Sequence, residues 1–178
     1  MEDHVYADYR EMLEKENPDV VSVSTSARLR AQIVEDVATS GAKAIWAEKP
    51  LALSLEEADR MLAVCERNSV AIAVNCARRY HPVFQAAREL IEAGSIGELL
   101  QVTAYSSCYL SHNGSHAIDT MRYLVGGHVE WVFGEMVSDE AAALDDDLQG
   151  NGYMAFDNGV RGFLRATETG PAASWEFD

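Results

Sequence analysis

The sequence is short of positive charge, of cysteine and of long apolar runs, and each shortage argues against a class of protein. Its 178 residues include 14 Lys and Arg against 29 Asp and Glu, which gives a formal net charge of −15. Nucleic acids and anionic membranes attract basic faces, so we expect neither as a partner. No apolar run is long enough for a transmembrane helix, and residues 1–4 do not begin a signal peptide.

Cysteine and glycine patterns set further limits. The three cysteines, Cys65, Cys76 and Cys108, lie far apart without CxxC spacing, which predicts neither a disulfide framework nor a thiolate zinc site. We therefore expect a reducing, cytoplasmic location. The sequence also lacks a Gly-x-Gly-x-x-Gly loop and shows no strand pattern before residue 19. We expect a fragment that is open at both ends.

The first half alternates between strand and helix patterns. Apolar runs at 19–24, 43–47 and 70–74 are separated by helical patterns, the second of which starts at the capping box Ser54-Leu55-Glu56-Glu57. Such alternation predicts an α/β fold with a parallel sheet built from consecutive βαβ units. The run at 70–74 is almost entirely apolar, which is typical of a strand buried on both faces.

The second half has a different character. After a helix that begins at Pro82, strand patterns occupy 99–109, 129–137, 152–156 and 160–165, with a helix from Ser115 to Val125. The sequence Asp157-Asn158-Gly159 predicts a hairpin turn between the last two strands. We therefore expect an α+β unit with an antiparallel sheet, and a domain boundary near residue 76.

Lys49 is the leading candidate for a functional residue. It stands between Glu48 and Pro50, directly after the strand at 43–47, and proline forces the residue before it into an extended conformation. In an open parallel sheet, ligands bind beyond the carboxyl ends of the strands. Lys49 could therefore polarise a substrate oxygen, although a charged turn would also explain the pattern.

Polar side chains after other elements are further candidates. Ser24 and Thr25 could contact a phosphate or sugar from the loop after the first strand, or could satisfy helix amides. Arg79, like Arg78, could bind an anion or remain solvated. His116 lies in the first turn of a helix with Asp119 and could move a proton near neutral pH, or could cap the helix.

A metal site at His112 and His116 is disfavoured. The two histidines are four residues apart, but Gly114 and Ser115 lie between them, which makes one continuous helix doubtful. We therefore expect no bound metal.

Several motifs in a fixed order together resemble one known family. These are Tyr6-Ala7-Asp8-Tyr9-Arg10-Glu11-Met12-Leu13, the Ser24-Thr25 loop, Glu48-Lys49-Pro50, Arg78-Arg79-Tyr80-His81-Pro82, Gly94-Ser95-Ile96-Gly97, Gly114-Ser115-His116-Ala117-Ile118-Asp119 and Tyr123-Leu124-Val125-Gly126. Nearly the whole chain thereby resembles the glucose–fructose oxidoreductase, inositol dehydrogenase and MocA-like family of NAD(P)-dependent oxidoreductases. The resemblance implies a partial Rossmann domain at 1–76, followed at 77–178 by a partial substrate and oligomerisation domain with an open antiparallel sheet.

The resemblance also implies an activity, which is hydride exchange between NAD or NADP and a carbinol carbon of a sugar, cyclitol or related polyol. It places Lys49 and His116 at the reacting atoms. The remaining implied contacts are Ser24, Thr25, Glu48, Lys49, Pro50 and Arg79 for the cofactor, and Lys49, His112, His116 and Asp119 for the substrate. A homo-oligomer formed through the C-terminal sheet is the expected assembly.

Three departures from the family pattern qualify this expectation. Many members carry an aspartate where this chain has His112, and the family's A-T-P-x-H-x-H loop is here Ser24-Thr25-Ser26-Ala27-Arg28-Leu29-Arg30. The glycine-rich phosphate loop is missing, so we expect the fragment alone to bind dinucleotide weakly and to be inactive. An NAD-dependent lyase or glycosidase, and a non-enzymatic ligand-binding or regulatory relative, remain alternatives.

Overall fold

The computed structural model describes residues 4–106, 109–136, 138, 149–166 and 175–177, with the backbone alone described at 106, 111, 112 and 175–177. Cys108 therefore lies outside the described residues. The chain divides into two units, Met1–Asn75 and Cys76–Asp178. Within the described residues, no helix is both long and apolar enough to cross a membrane.

Helices and strands alternate throughout the first unit. Its elements are α1 (Tyr9–Glu16), β1 (Val20–Val23), α2 (Ala27–Thr39), β2 (Ala44–Ala47), α3 (Leu55–Arg67) and β3 (Ala71–Val74). The strands form one sheet in the order β1-β2-β3, and both pairings are parallel. The expected parallel sheet of consecutive βαβ units is confirmed.

Local side-chain bonds explain where two of these helices begin. The Asp8 carboxylate accepts a hydrogen bond from the Arg10 amide at 2.9 Å and caps α1. Ser54 caps α3, because its hydroxyl accepts from the Glu57 amide at 3.1 Å. The Glu57 carboxylate accepts from the Leu53 amide, one residue earlier than a standard capping box requires.

One face of this sheet is buried and the other is open. Residues Val21, Val23, Ile45 and Ala47 form a core with the three helices. Of their neighbours along the strands, Val20, Ser22 and Trp46 are exposed and Ala44 is half-buried. The expectation that β3 is buried on both faces is wrong, since its burial alternates between exposed and half-buried. The strand lies at the sheet edge, and the described helices cover only one face.

The second unit combines a sheet with helices. After a 3₁₀ turn at Ala77–Tyr80 come α4 (Pro82–Glu92), β4 (Gln101–Ser106), a π-helical turn at Leu110–Gly114, α5 (Ser115–Val125), β5 (Val129–Met136), β6 (Gly150–Phe156), β7 (Arg161–Arg165) and β8 (Trp175–Phe177). The strand order is β5-β6-β7-β4-β8. Three pairings are antiparallel, as expected, but β4 and β7 are parallel, so the sheet is mixed.

The core of the second unit lies between α5 and one face of this sheet. Ala117 and Met121 of α5 are fully buried against residues of the sheet that include Ala104 and Phe156. The turn between β6 and β7 uses Gly159 with φ +90°, which confirms the predicted hairpin at 157–159. The position of α5 in turn fixes the residues of its first turn, including His116.

Candidate active site

Lys49 lies at the carboxyl end of β2, where the parallel strands stop. The Glu48 amide donates to the carbonyl of Val23 at 3.1 Å, and the Asn75 amide donates to the carbonyl of Ala47 at 2.7 Å. These bonds end the sheet immediately before Lys49, which is half-buried and joined to Pro50 by a cis peptide bond. The backbone that leads into the lysine is therefore held in place.

The carboxylate of Glu48 is fixed by two donors. Its Oε1 accepts from the Asn75 side-chain amide at 2.6 Å, and its Oε2 accepts from the Lys49 backbone amide at 3.3 Å. Asn75 follows β3, so this bond joins the carboxyl ends of neighbouring strands. Sequence reasoning did not select Asn75, although an amide residue directly after a parallel strand was a usable signal.

The loop after β1 places Ser24 and Thr25 at the same edge of the sheet. Ser24 is exposed, with its hydroxyl 3.5 Å from that of Ser22. The Thr25 Oγ1 atom is buried and has no hydrogen-bond partner among the described residues. A buried hydroxyl is costly to leave unbonded, so this atom is suited to a ligand or an ordered water.

Arg30 joins this loop to the loop that carries Lys49. Its guanidinium donates to the carbonyl oxygens of Thr25 and of Pro50. From the sequence, Arg30 stood out only as a departure from a family pattern. An arginine in the first turn of a helix, where the dipole disfavours a cation, was the signal that could have identified it.

In the second unit, Arg79 and Asp119 form a bidentate ion pair. Arg79 Nε lies 2.9 and 3.1 Å from the two carboxylate oxygens of Asp119, and Arg79 Nη2 lies 2.6 Å from Oδ1. Hydrogen bonding to Asp119 raises the pKa of Arg79. The pair joins the 3₁₀ turn at 77–80 to α5, and Arg78 lies in the same turn.

Tyr123, one turn after Asp119, packs against two arginines. Arg79 lies over its ring at 5.6 Å and Arg88 of α4 at 4.8 Å, measured to the ring centroid. Arg88 also donates to the Tyr123 carbonyl and to Glu92. The helix α5 is therefore anchored by charge at Asp119 and Tyr123 as well as by its apolar face.

His116 is half-buried in the first turn of α5, and its carbonyl accepts from the Thr120 hydroxyl at 2.8 Å. A π-helical turn at Leu110–Gly114 runs directly into α5 at Ser115, so the backbone between His112 and His116 is helical but changes its hydrogen-bonding pattern there. The His112 side chain lies outside the described part of the structure. Within that described part, no cluster of three or more His, Cys, Asp or Glu residues could hold a metal ion.

Each unit thus brings together one group of the predicted site residues. Thr25, Glu48, Lys49 and Pro50 share the carboxyl edge of the first sheet. In the second unit, Arg79 binds Asp119, which follows His116 by one helical turn. The first group offers an amine, a fixed carboxylate and a buried hydroxyl, and the second offers an imidazole near an ion pair.

Comparison with known families matches most of the chain to two models. Residues 1–76 match a model described as "Oxidoreductase family, NAD-binding Rossmann fold". Residues 104–177 match the GFO/IDH/MocA C-terminal domain.

Individual relatives agree with these matches. The chain is 28% identical over 178 residues to the scyllo-inositol 2-dehydrogenase (NAD(+)) of Bacillus subtilis, covering 90% of this chain and 52% of that protein. It is 28% identical over 177 residues to the myo-inositol 2-dehydrogenase of Thermotoga maritima, a match that covers 89% of this chain and 52% of that protein.

Among solved structures, the fold resembles apo scyllo-inositol dehydrogenase from Lactobacillus casei, with a TM-score of 0.79 and 19% sequence identity. The match covers 97% of this chain and 56% of the chain of that dehydrogenase. The chain spans about half the length of the relatives it matches. With both of its halves matched to models of one family, the chain belongs to the GFO/IDH/MocA family of NAD-binding oxidoreductases.

Proposed function

We propose that the protein containing this chain is an NAD(P)-dependent dehydrogenase that acts on a carbinol carbon of a sugar, cyclitol or related polyol. The observation that carries the proposal is Lys49, held at the carboxyl edge of a parallel sheet between a fixed Glu48 and Pro50. Its relatives named as inositol dehydrogenases support this substrate class. We assign Thr25, Glu48 and Pro50 to the cofactor, and His116 and Asp119 to the substrate.

The residues at the carboxyl edge of the first sheet fit one end of a dinucleotide. The buried Thr25 hydroxyl, which has no partner in the described part of the chain, can bond a polar ligand atom, and Ser24, Glu48 and Lys49 add polar groups at the same edge. The chain has no Gly-x-Gly-x-x-Gly loop, so these residues suit the nicotinamide half rather than the pyrophosphate. We expect weak dinucleotide binding by the 178-residue chain alone.

In the proposed mechanism, bound NAD(P)⁺ supplies the hydride acceptor. The Lys49 ammonium stabilises negative charge that develops on the substrate oxygen as its proton leaves. The imidazole of His116 accepts that proton near neutral pH. In the proposed scheme, the remaining hydroxyl groups of the substrate contact His112 and Asp119, and Arg79 holds Asp119. Arg79 is also proposed to contact the cofactor.

A second copy of the chain is the proposed partner of the open face of the second sheet. On this face the rings of Trp131, Tyr153 and Phe163 form a connected row, with Trp131–Tyr153 and Tyr153–Phe163 centroids 5.3 and 4.7 Å apart. Phe133 lies on the same face, directly opposite Tyr153 in the register of β5 and β6. Phe133 is 72% exposed. A large exposed apolar patch marks an interaction surface, and a two-fold dimer can cover it with its own copy.

The oligomer proposal is tested by sedimentation velocity of the intact protein. Phe133→Glu should shift the assembly towards monomer, because it buries a charge in the interface. Val83→Glu, at an exposed apolar residue of α4, should leave the assembly unchanged. An unaltered assembly in the Phe133 variant would remove this face from the interface.

The remaining proposals concern the cellular location and the classes of partner. We propose a reducing, cytoplasmic location, because Cys65 and Cys76 are both free thiols and Cys65 is buried. The large negative charge argues against nucleic acid and anionic membranes as partners.

The activity is tested by reduction of NAD⁺ or NADP⁺ with the intact enzyme and a panel of inositols, aldoses and their polyols. Lys49→Met should lower kcat by about 10²–10³-fold, the usual cost of losing one group that stabilises developing charge. Lys43→Met is the matched control, because Lys43 precedes β2 at the opposite end and is 75% exposed beside Asp19. His116→Asn should lower kcat by about 10²–10⁴-fold and flatten its pH profile.

Three results would contradict parts of the proposal. Unchanged turnover in Lys49→Met would remove this lysine from the mechanism. Product formed without net cofactor reduction would indicate a lyase or glycosidase on the same fold. No turnover by the wild-type protein on any polyol would favour a non-enzymatic relative.

A further inference from the structure

Arg30 occupies a position that disfavours a positive charge in two ways. It lies in the first turn of α2, at the positive end of the helix dipole, and no acidic residue shares that turn. It is also only 2% exposed, and a buried cation is costly unless its charge and donors are compensated. An arginine in such a place requires a specific set of partners.

Its partners are the two loops at the carboxyl edge of the first sheet. Arg30 Nη1 donates to the Pro50 carbonyl, and Arg30 Nη2 donates to the Thr25 carbonyl. Burial lowers the pKa of Arg30, and the nearby negative charge of Glu48 opposes this effect. The planar guanidinium can reach two acceptors at a fixed angle, whereas the point charge of a lysine cannot.

We propose that Arg30 is a positioning residue that ties the Lys49 loop to the Thr25 loop and thereby sets the reactive lysine beside the cofactor-binding hydroxyl. The inference rests on the proposed function for its kinetic consequence only. Its structural consequence, ordering of both loops by one side chain, is independent of any activity. The two parts are therefore tested separately.

The structural test is hydrogen–deuterium exchange of the intact protein without ligands. Arg30→Lys should speed exchange at least about tenfold in peptides covering 24–29 and 48–53, since each loop loses a bond that holds it. Peptides from the β1 and β2 cores should be unchanged. Arg60→Lys is the matched control, because Arg60 also joins two elements of this unit through Glu35 but lies away from the loops.

The kinetic test is a double-mutant cycle with Lys49. Arg30→Lys should lower kcat about 10- to 100-fold with less than about a twofold change in the substrate KM, because small displacements of a reacting group are costly. In a Lys49→Met background, the same change should lower the residual kcat less than about twofold. A purely structural role would instead give the same fold-loss in both backgrounds.

Each outcome decides a separate point. Unchanged exchange in both loops overturns the positioning role, whether or not the protein is an enzyme. Faster exchange with additive kinetics leaves Arg30 as a loop anchor and overturns its action through Lys49. Faster exchange in a protein without turnover supports the anchor and contradicts the proposed function alone.

Discussion

Replacing Asp119 with asparagine tests how α5 is held. The substitution keeps the shape of the side chain and removes the charge that Arg79 binds through two of its nitrogens. It leaves a partly buried guanidinium next to the Cys76 thiol. Two measurable effects follow, one on the stability of α5 and one on the thiol.

The expected loss of stability depends on how exposed the Arg79 and Asp119 side chains are. A hydrogen-bonded charge contributes about 1.5–3 kcal/mol when buried, and an exposed ion pair about 0–1 kcal/mol. The Arg79 side chain is 37% exposed and that of Asp119 17%, between these limits. We expect a loss of about 1.5 kcal/mol, close to a tenfold fall in amide protection across the first half of α5.

Hydrogen exchange of α5 peptides in the intact protein measures this loss. Glu11→Gln is the control, because it breaks an exposed pair with Lys15 within α1 and should cost less than about 0.5 kcal/mol. Protection within twofold of wild type in Asp119→Asn would show that the ion pair does not hold the helix.

The thiol supplies a second, independent readout. Burial raises the pKa of Cys76, the negative charge of Asp119 raises it further, and Arg79 opposes both. Removing the Asp119 charge should therefore lower the pKa and speed alkylation of Cys76 by iodoacetamide at pH 8. Slower or equal alkylation would refute the electrostatic reasoning.

Three further predictions concern stability. Burial and the hydrogen bond to Asp36 raise the pKa of Tyr9 to about 12. This contact therefore stabilises the fold fully below pH ~10 and is lost as the pH rises towards ~12. Tyr9→Phe should accordingly flatten the fall of Tm between pH ~10 and ~12. Ser54→Ala removes the cap that accepts from the Glu57 amide and should cost about 1 kcal/mol in urea denaturation, whereas Ser54→Asp should restore it. Met121→Ala, at a fully buried position, should cost about 2–5 kcal/mol, and Met121→Leu less than about 1.5.

Local sequence patterns were sufficient for most elements. The predicted helix from Ser115 to Val125 matches α5 at both ends, because apolar periodicity and Gly126, with φ +70°, mark its limits. The parallel sheet followed from strand spacing alone. The same patterns could not give the parallel pairing of β4 with β7, since that contact joins segments separated by a helix and two strands.

Candidate residues could be selected from the sequence where the signal is local, but not where it depends on burial. Lys49 stood out because proline and a strand end flank it. Arg30 was missed as a functional residue because its importance comes from two carbonyl groups in other loops, which the sequence does not place. The pairing of Arg79 with Asp119 was missed for the same reason, since 40 residues separate them.

The open face of the first sheet makes Trp46 an internal fluorescent reporter. Its indole is 42% exposed on that face, so its emission should lie towards the red. A layer that covers the face would shift this emission to shorter wavelength, and replacing both Trp131 and Trp175 with phenylalanine would leave Trp46 as the single tryptophan of the 178 residues. The colour of one side chain would then follow, in solution and in real time, whether that face is bare or covered.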